Sequence, residues 1–108
     1  MIVELRTYIC TPGCLPAVHD RFVNDVLPIW QELGIESIGF FTPTDEASES
    51  LTYLLRWHSK AEQEEKWQRF LVDPRWVARR PLTELNGPLV QTVVSRFLQP
   101  TTYSMMRA

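Results

Sequence analysis

The stretch Leu51–Trp76, LTYLLRWHSKAEQEEKWQRFLVDPRW, limits what this chain can fold into more than any other part of it. It changes period midway. Leu51, Tyr53, Leu55 and Trp57 alternate with Thr52, Leu54, Arg56 and His58, the period of two of a β-strand. Both sets carry apolar bulk, so the strand is expected to be covered on both faces. Ser59 then opens the capping box Ser-Lys-Ala-Glu. Its hydroxyl can accept from the backbone N–H of Glu62, and the Glu62 side chain can reach back to Ser59. Trp67, Phe70 and Leu71 follow as one apolar stripe, with Glu62, Glu64, Glu65 and Lys66 on the wet side. Asp73-Pro74 stops that helix and caps a second short one, with Pro74 in its first position.

The rest of the chain supplies partners for this strand and helix. Met1–Cys10 reads as a strand with Val3, Leu5 and Ile9 on one face and Glu4, Arg6 and Tyr8 on the other. The first face suits a helix layer; the second carries a long cation and a phenol. Thr11-Pro12-Gly13 breaks the strand. Leu15, Val18, Phe22, Val26, Ile29 or Trp30, and Leu33 then recur at helical spacing, with Gly34 as a C-terminal stop. Pro28 conflicts with one continuous helix and predicts a kink or two helical pieces. Ile35–Thr42 reads as a strand thinned by Gly39, residues 43–50 as a loop, Leu82–Pro88 as irregular, Val90–Leu98 as a strand, and residues 101–108 as a tail.

The order is β, α, β, β, α, β, which predicts an α+β, ferredoxin-like four-stranded antiparallel sheet with helices on one face. A length of 108 residues suits one domain spanning 1–108. The expected helix-free face holds Tyr8, Tyr53, Leu55, Trp57 and Val94. Such an apolar area calls for a cover, and a second copy packed sheet to sheet provides one, so the chain is expected to be a homodimer.

Composition excludes several classes of partner. A formal net charge of −2 argues against a nucleic-acid or anionic-membrane surface. No apolar run is long enough to span a bilayer. The N-terminus enters a strand pattern without a charged leader segment, so no signal peptide and a cytoplasmic setting are expected. Cys10 and Cys14 flank the first turn. A zinc site there needs further ligands, and His19 and His58 are the candidates of that type, so two small, partly buried thiols are expected and no metal. His19 falls beside the helical stripe and reads as a surface histidine. There is no Gly-rich phosphate loop, no His-Glu-x-x-His and no nucleophile elbow, so no cofactor is expected.

Several segments together resemble the NIPSNAP family. They are Glu4-Leu5-Arg6-Thr7-Tyr8 followed by Pro12-Gly13, Gly39-Phe40-Phe41, the aromatic strand ending in Ser59, Asp73-Pro74-Arg75-Trp76, and Arg96-Phe97-Leu98-Gln99-Pro100. The resemblance covers nearly the whole chain. It implies a dimeric α/β-barrel, two ferredoxin-like sheets closing one barrel, and a family function that is poorly defined. Two positions depart from the family pattern. Gln63 stands where the family often has an arginine, and Leu54-Leu55-Arg56-Trp57 stands where it usually has Leu-Trp-x-Tyr.

The candidate site is a cavity between helices and sheet, or inside the barrel, lined by Arg6, Tyr8, Tyr53, Trp57 and Arg96. Aromatic walls with a few fixed cations suit a flat, partly anionic organic molecule. Arginine can hold a carboxylate or enolate through two parallel hydrogen bonds. Arg6 is expected to serve this cavity more than the fold. Glu4, Arg6 and Arg96 also read as cross-strand ion pairs, Tyr8 and Trp57 as interface anchors, and Trp67 and Trp76 as packing. Three functions remain open: a dimer that binds an organic metabolite; a cofactor-independent oxygenase, cyclase or isomerase, with His58 as general base, acting on a quinol or polyketide-like substrate; and an interaction dimer with a filled barrel.

Overall fold

A computed structural model describes residues 1–45 and 47–106. Of the segments expected to be irregular, Glu46 in the loop and Arg107 and Ala108 in the tail lie outside the described residues. The elements run β1 (Ile2–Cys10), α1 (Leu15–Arg21), a π-helical segment (Phe22–Val26), α2 (Leu27–Leu33), β2 (Glu36–Phe41), β3 (Ser50–Trp57), α3 (Lys60–Leu71), α4 (Pro74–Thr83) and β4 (Val90–Leu98). The four strands pair antiparallel in the order β2-β3-β1-β4, the ferredoxin-like arrangement.

Local chemistry sets the element ends. Pro28 divides the first helical region, as its missing N–H and crowding ring require. The chain widens into the π-segment just before it, where the Leu27 N–H reaches Phe22 O, and α2 restarts with Pro28 in its first turn. Gly34 closes α2 at φ 74°, a left-handed conformation that glycine adopts without a Cβ clash. The Ser59 hydroxyl accepts from the Glu62 N–H at 3.1 Å, as expected. The return bond differs: Glu62 Oε1 accepts from the His58 N–H at 3.0 Å, one residue earlier than Ser59. Asp73 caps α4 by accepting from the Arg75 N–H at 2.9 Å. That helix continues to Thr83, two residues into the segment expected to be irregular.

The helices cover the face of the sheet that carries Tyr8, Cys10, Leu51, Tyr53, Leu55 and Trp57. Val18, Phe22, Val26, Ile29 and Trp30 pack onto it from the first helical region, and Phe70 and Trp76 from α3 and α4. Burying each large side chain of this kind contributes about 2 kcal/mol. This reverses the expected orientation. Tyr8, Tyr53, Leu55 and Trp57 lie under the helices, not on the open face. Glu4, Arg6 and Tyr8 pair across to Leu55, Tyr53 and Leu51, so they share that covered face. The open face holds Leu5, Thr7 and Ile9 from β1, Thr52, Leu54 and Arg56 from β3, and Thr92, Val94, Arg96 and Leu98 from β4. The physical reason is that the polar side of β1 makes a closed network inside. The apolar side is left to cover a second surface.

Candidate functional site: an arginine and tryptophan cavity under the helices

A cavity of about 450 Å³ opens between the sheet and the helices. β1 contributes Arg6 and Tyr8 to its wall, and β4 contributes Val90 and Val93. α1 contributes Arg21, α3 contributes Trp67, Phe70 and Leu71, and α4 contributes Trp76 and Arg80, with Glu84 just beyond. Each of the two inner arginines lies against a tryptophan. The Arg6 guanidinium carbon is 4.4 Å from the Trp67 ring centre, and that of Arg21 is 5.3 Å from Trp76.

Arg6 is held from behind by a buried polar network. Its Nη1 donates to Glu4 Oε2 at 3.1 Å and its Nε to Tyr53 Oη at 2.7 Å; the Tyr53 hydroxyl in turn donates to Tyr8 Oη at 2.9 Å. Glu4 is only 1% exposed. Its other donors are Ser95 Oγ at 2.6 Å, Trp57 Nε1 at 3.1 Å and Gln63 Nε2 at 3.5 Å. A buried carboxylate is tolerable only with such partners. Burial works against the Arg6 charge. The Tyr53 and Tyr8 oxygens and the Glu4 carboxylate outweigh it, and hold the guanidinium pKa above its ordinary value. Burial, reinforced by Tyr8 and opposed by Arg6, pushes the Tyr53 phenol well above its usual value, so it stays protonated.

Arg21 is held less well. Its Nη1 lies 3.4 Å from Thr83 Oγ1 and 3.8 Å from Glu84 Oε1, while Arg80 takes the same Glu84 oxygen at 3.0 Å. Burial, only partly opposed by Glu84, lowers its pKa from the ordinary arginine value. A largely buried cation with a shared, distant carboxylate has spare capacity for an anionic ligand.

Of the residues named from sequence, Arg6 and Tyr8 line the cavity, and Tyr53 lies directly behind them. Trp57 stands one step further back, positioning Glu4 instead of lining the wall. Arg96 does not join them: it pairs with Leu5 on the open face of the sheet and is exposed. His58 does not join them either. It lies exposed at the end of β3, beside a separate cleft of about 290 Å³ with Met1, Glu36, Arg56 and Lys66. The structure therefore does not bring His58 to the wall of the Arg6 cavity. Arg21, Arg80 and Glu84 were not singled out, and Trp67 and Trp76, read as packing, also form walls. The spacing carried a signal: Arg21 follows Val18 by three and precedes Phe22 by one, on the edge of the apolar stripe. Gln63 likewise precedes Trp67 by four.

Cys10 is buried, Cys14 is half-buried, and both are free thiols. Among the described residues, no three His, Cys, Asp or Glu side chains are grouped to hold a metal ion. No described helix is long and apolar enough to cross a membrane.

These features define a ferredoxin-like α+β protein with an arginine- and tryptophan-walled cavity between sheet and helices. The chain belongs to the NIPSNAP family, whose sequence pattern matches residues 3–105. No functionally curated protein matches it. It is similar in fold to a NIPSNAP family protein from Agrobacterium tumefaciens, with 23% identity, a TM-score of 0.86 and 98% of each chain covered. It is also similar to an uncharacterised NIPSNAP domain protein from Burkholderia xenovorans, with 23% identity, a TM-score of 0.80 and coverage of 95% of this chain and 97% of the other. A monooxygenase from the ActVA-Orf6 gene of Streptomyces coelicolor, solved with nanaomycin D, shares the fold more distantly. Its identity is 17% and its TM-score 0.67, over 98% of this chain and 92% of the other.

Proposed function

We propose that this protein is a cytoplasmic, single-domain homodimer that binds a small aromatic, partly anionic organic molecule in the cavity beneath its helices. The observation that carries this reading is Arg6: a partly buried, charged guanidinium on the wall of an open cavity, stacked on Trp67 and facing Arg21 and Trp76. Flat, electron-rich walls and fixed cations favour a planar anion. The homodimer is supported by the open face of the sheet, where Ile9, Val94 and Leu98 are exposed beside Leu5 and Leu54. Two such faces packed together give the dimeric α/β-barrel that the family implies. An open cavity beside Arg6 favours ligand binding over a purely structural interaction dimer.

A second reading, a cofactor-independent enzyme, is favoured by the likeness to the Streptomyces monooxygenase solved with nanaomycin D. That likeness supports the fold and the general class of ligand to try.

Calorimetric titration with naphthoate tests binding. The wild type is expected to bind saturably. Arg6→Lys keeps a cation beside Glu4 but loses the planar fork and the stack on Trp67. It is expected to weaken binding tenfold or more, about 1.4 kcal/mol. Saturable binding that Arg6→Lys leaves unchanged refutes the assignment. Oxygen uptake with a naphthalenediol in air, with chelator present, separates turnover from binding alone.

A further inference from the structure

The hydroxyl chain behind the cavity wall has a direction. An arginine N–H can only donate, so Tyr53 Oη accepts from Arg6 Nε at 2.7 Å. Tyr53 is fully buried, and among the described residues the other partner of its hydroxyl is Tyr8 Oη, at 2.9 Å. A buried hydroxyl proton without an acceptor is costly, so the Tyr53 proton goes to Tyr8. Tyr8 is then an acceptor in the network, and its own proton is left to donate. Tyr8 lies on the cavity wall. A cation starts this chain, and each hydrogen bond polarises the next, so the last hydroxyl is a stronger donor than an isolated phenol.

We infer that Tyr8 is the ligand-facing end of an Arg6–Tyr53–Tyr8 donor relay that holds the ionised oxygen of a phenol or enol, so that the cavity selects aromatic hydroxy compounds in their anionic form. This rests on the ligand-binding reading above and narrows its substrate class. The charged groups facing the same cavity favour it. Arg6 comes from β1, Arg21 from α1 and Arg80 from α4, against Glu84 beyond α4, with Glu4 behind Arg6. The raised pKa of Tyr53 keeps the middle of the relay protonated, so it passes a hydrogen bond forward instead of competing as an anion. The proton released by the ligand goes to solvent; no side chain has to act as base.

The test uses para-nitrophenol, whose phenolate absorbs visible light and whose phenol does not. The probe is titrated with acid and base in the presence of saturating protein, and naphthoate binding is measured in parallel by calorimetry. The bound nitrophenol is expected to titrate at least one pH unit below the free probe, a tenfold preference for the phenolate. Tyr8→Phe keeps the ring in the wall and is expected to remove most of that shift. Tyr53→Phe, which leaves the Tyr8 hydroxyl but cuts it from Arg6, is expected to give a smaller shift than the wild type, and serves alone if Tyr8→Phe does not fold. If naphthoate binds but nitrophenol does not, or binds with an unshifted pKa, the relay is overturned and the cavity reading stands. A full shift that survives Tyr8→Phe, or an unchanged one in Tyr53→Phe, also overturns it. If neither probe binds, both readings fall together.

Discussion

Glu4 and Arg6 form the pair on which fold and site both depend, and a double-mutant cycle measures it. Glu4 is 1% exposed and the Arg6 side chain 12% exposed, so neither charge is well solvated. Glu4 Oε2 takes Arg6 and Ser95, and Oε1 takes Trp57 and Gln63. Glu4→Gln places an amide nitrogen against the donor of Arg6 or of Trp57 whichever way it turns, and strips Arg6 of its counter-charge. Breaking a buried pair from one side costs about 3–5 kcal/mol. Arg6 keeps one edge on the cavity, where water can reach it, so Glu4→Gln belongs near the lower end, about 3 kcal/mol. Arg6→Met leaves the carboxylate with neutral donors only and is expected to cost at least as much. The network thus predicts that Arg6 serves the fold as well as the cavity. In the double variant both charges are gone, and its cost should fall short of the sum by about 2 kcal/mol. Urea denaturation at fixed protein concentration supplies the numbers, provided the slope is constant across the set. Single variants costing under about 1 kcal/mol, or strict additivity, would mean that Glu4 and Arg6 do not act as a coupled buried pair.

Other outcomes follow from the same structure. Burial depresses the Arg21 pKa, so its charge opposes folding; Arg21→Met is expected to leave the urea midpoint unchanged or raised while weakening naphthoate binding tenfold or more, and a destabilised variant contradicts this. Ser59→Ala removes the α3 cap and should cost about 1 kcal/mol by the same assay. The His58 N–H, followed by Lys66, holds the Glu62 carboxyl below its usual range. Its contribution is complete above the unfolded glutamate pKa and fades as pH falls through the lower folded one, so the stability gap between wild type and Glu62→Gln should narrow as the pH falls below the ordinary glutamate range. Sedimentation should give a dimer at micromolar concentration, and Leu54→Glu on the open face should give a folded monomer. A wild-type monomer removes the barrel.

Much of the fold was legible because it rests on local chemistry. The alternation through Leu51–Trp57, the Ser59 and Asp73 caps and the conflict at Pro28 each act within a few residues, and each produced the element they predict. The facing of β1 was not legible. Hydrophobicity ranks Val3, Leu5 and Ile9 as the inner side. The polar side is inside because Tyr53 and Trp57, some fifty residues away, complete the hydrogen bonds of Arg6 and Glu4. Arg96 failed on parity: Arg6 pairs with Ser95, so Arg96 points away from it. His58 was chosen for its ionisation range, which carries no information on where a strand end projects. Arg21 was not singled out, yet the margin of an apolar stripe is where a long side chain reaches a partly wet cavity.

A crystal structure of the protein with a hydroxynaphthoate would show where the ligand lodges. The ring system is expected in the cavity against Trp67 and Trp76, with its anionic oxygens within hydrogen-bonding distance of Arg6, Tyr8 or Arg21. A ligand lodged instead in the apolar cleft of Phe22, Phe40 and Phe41, with the arginine cavity holding water alone, would contradict that placement.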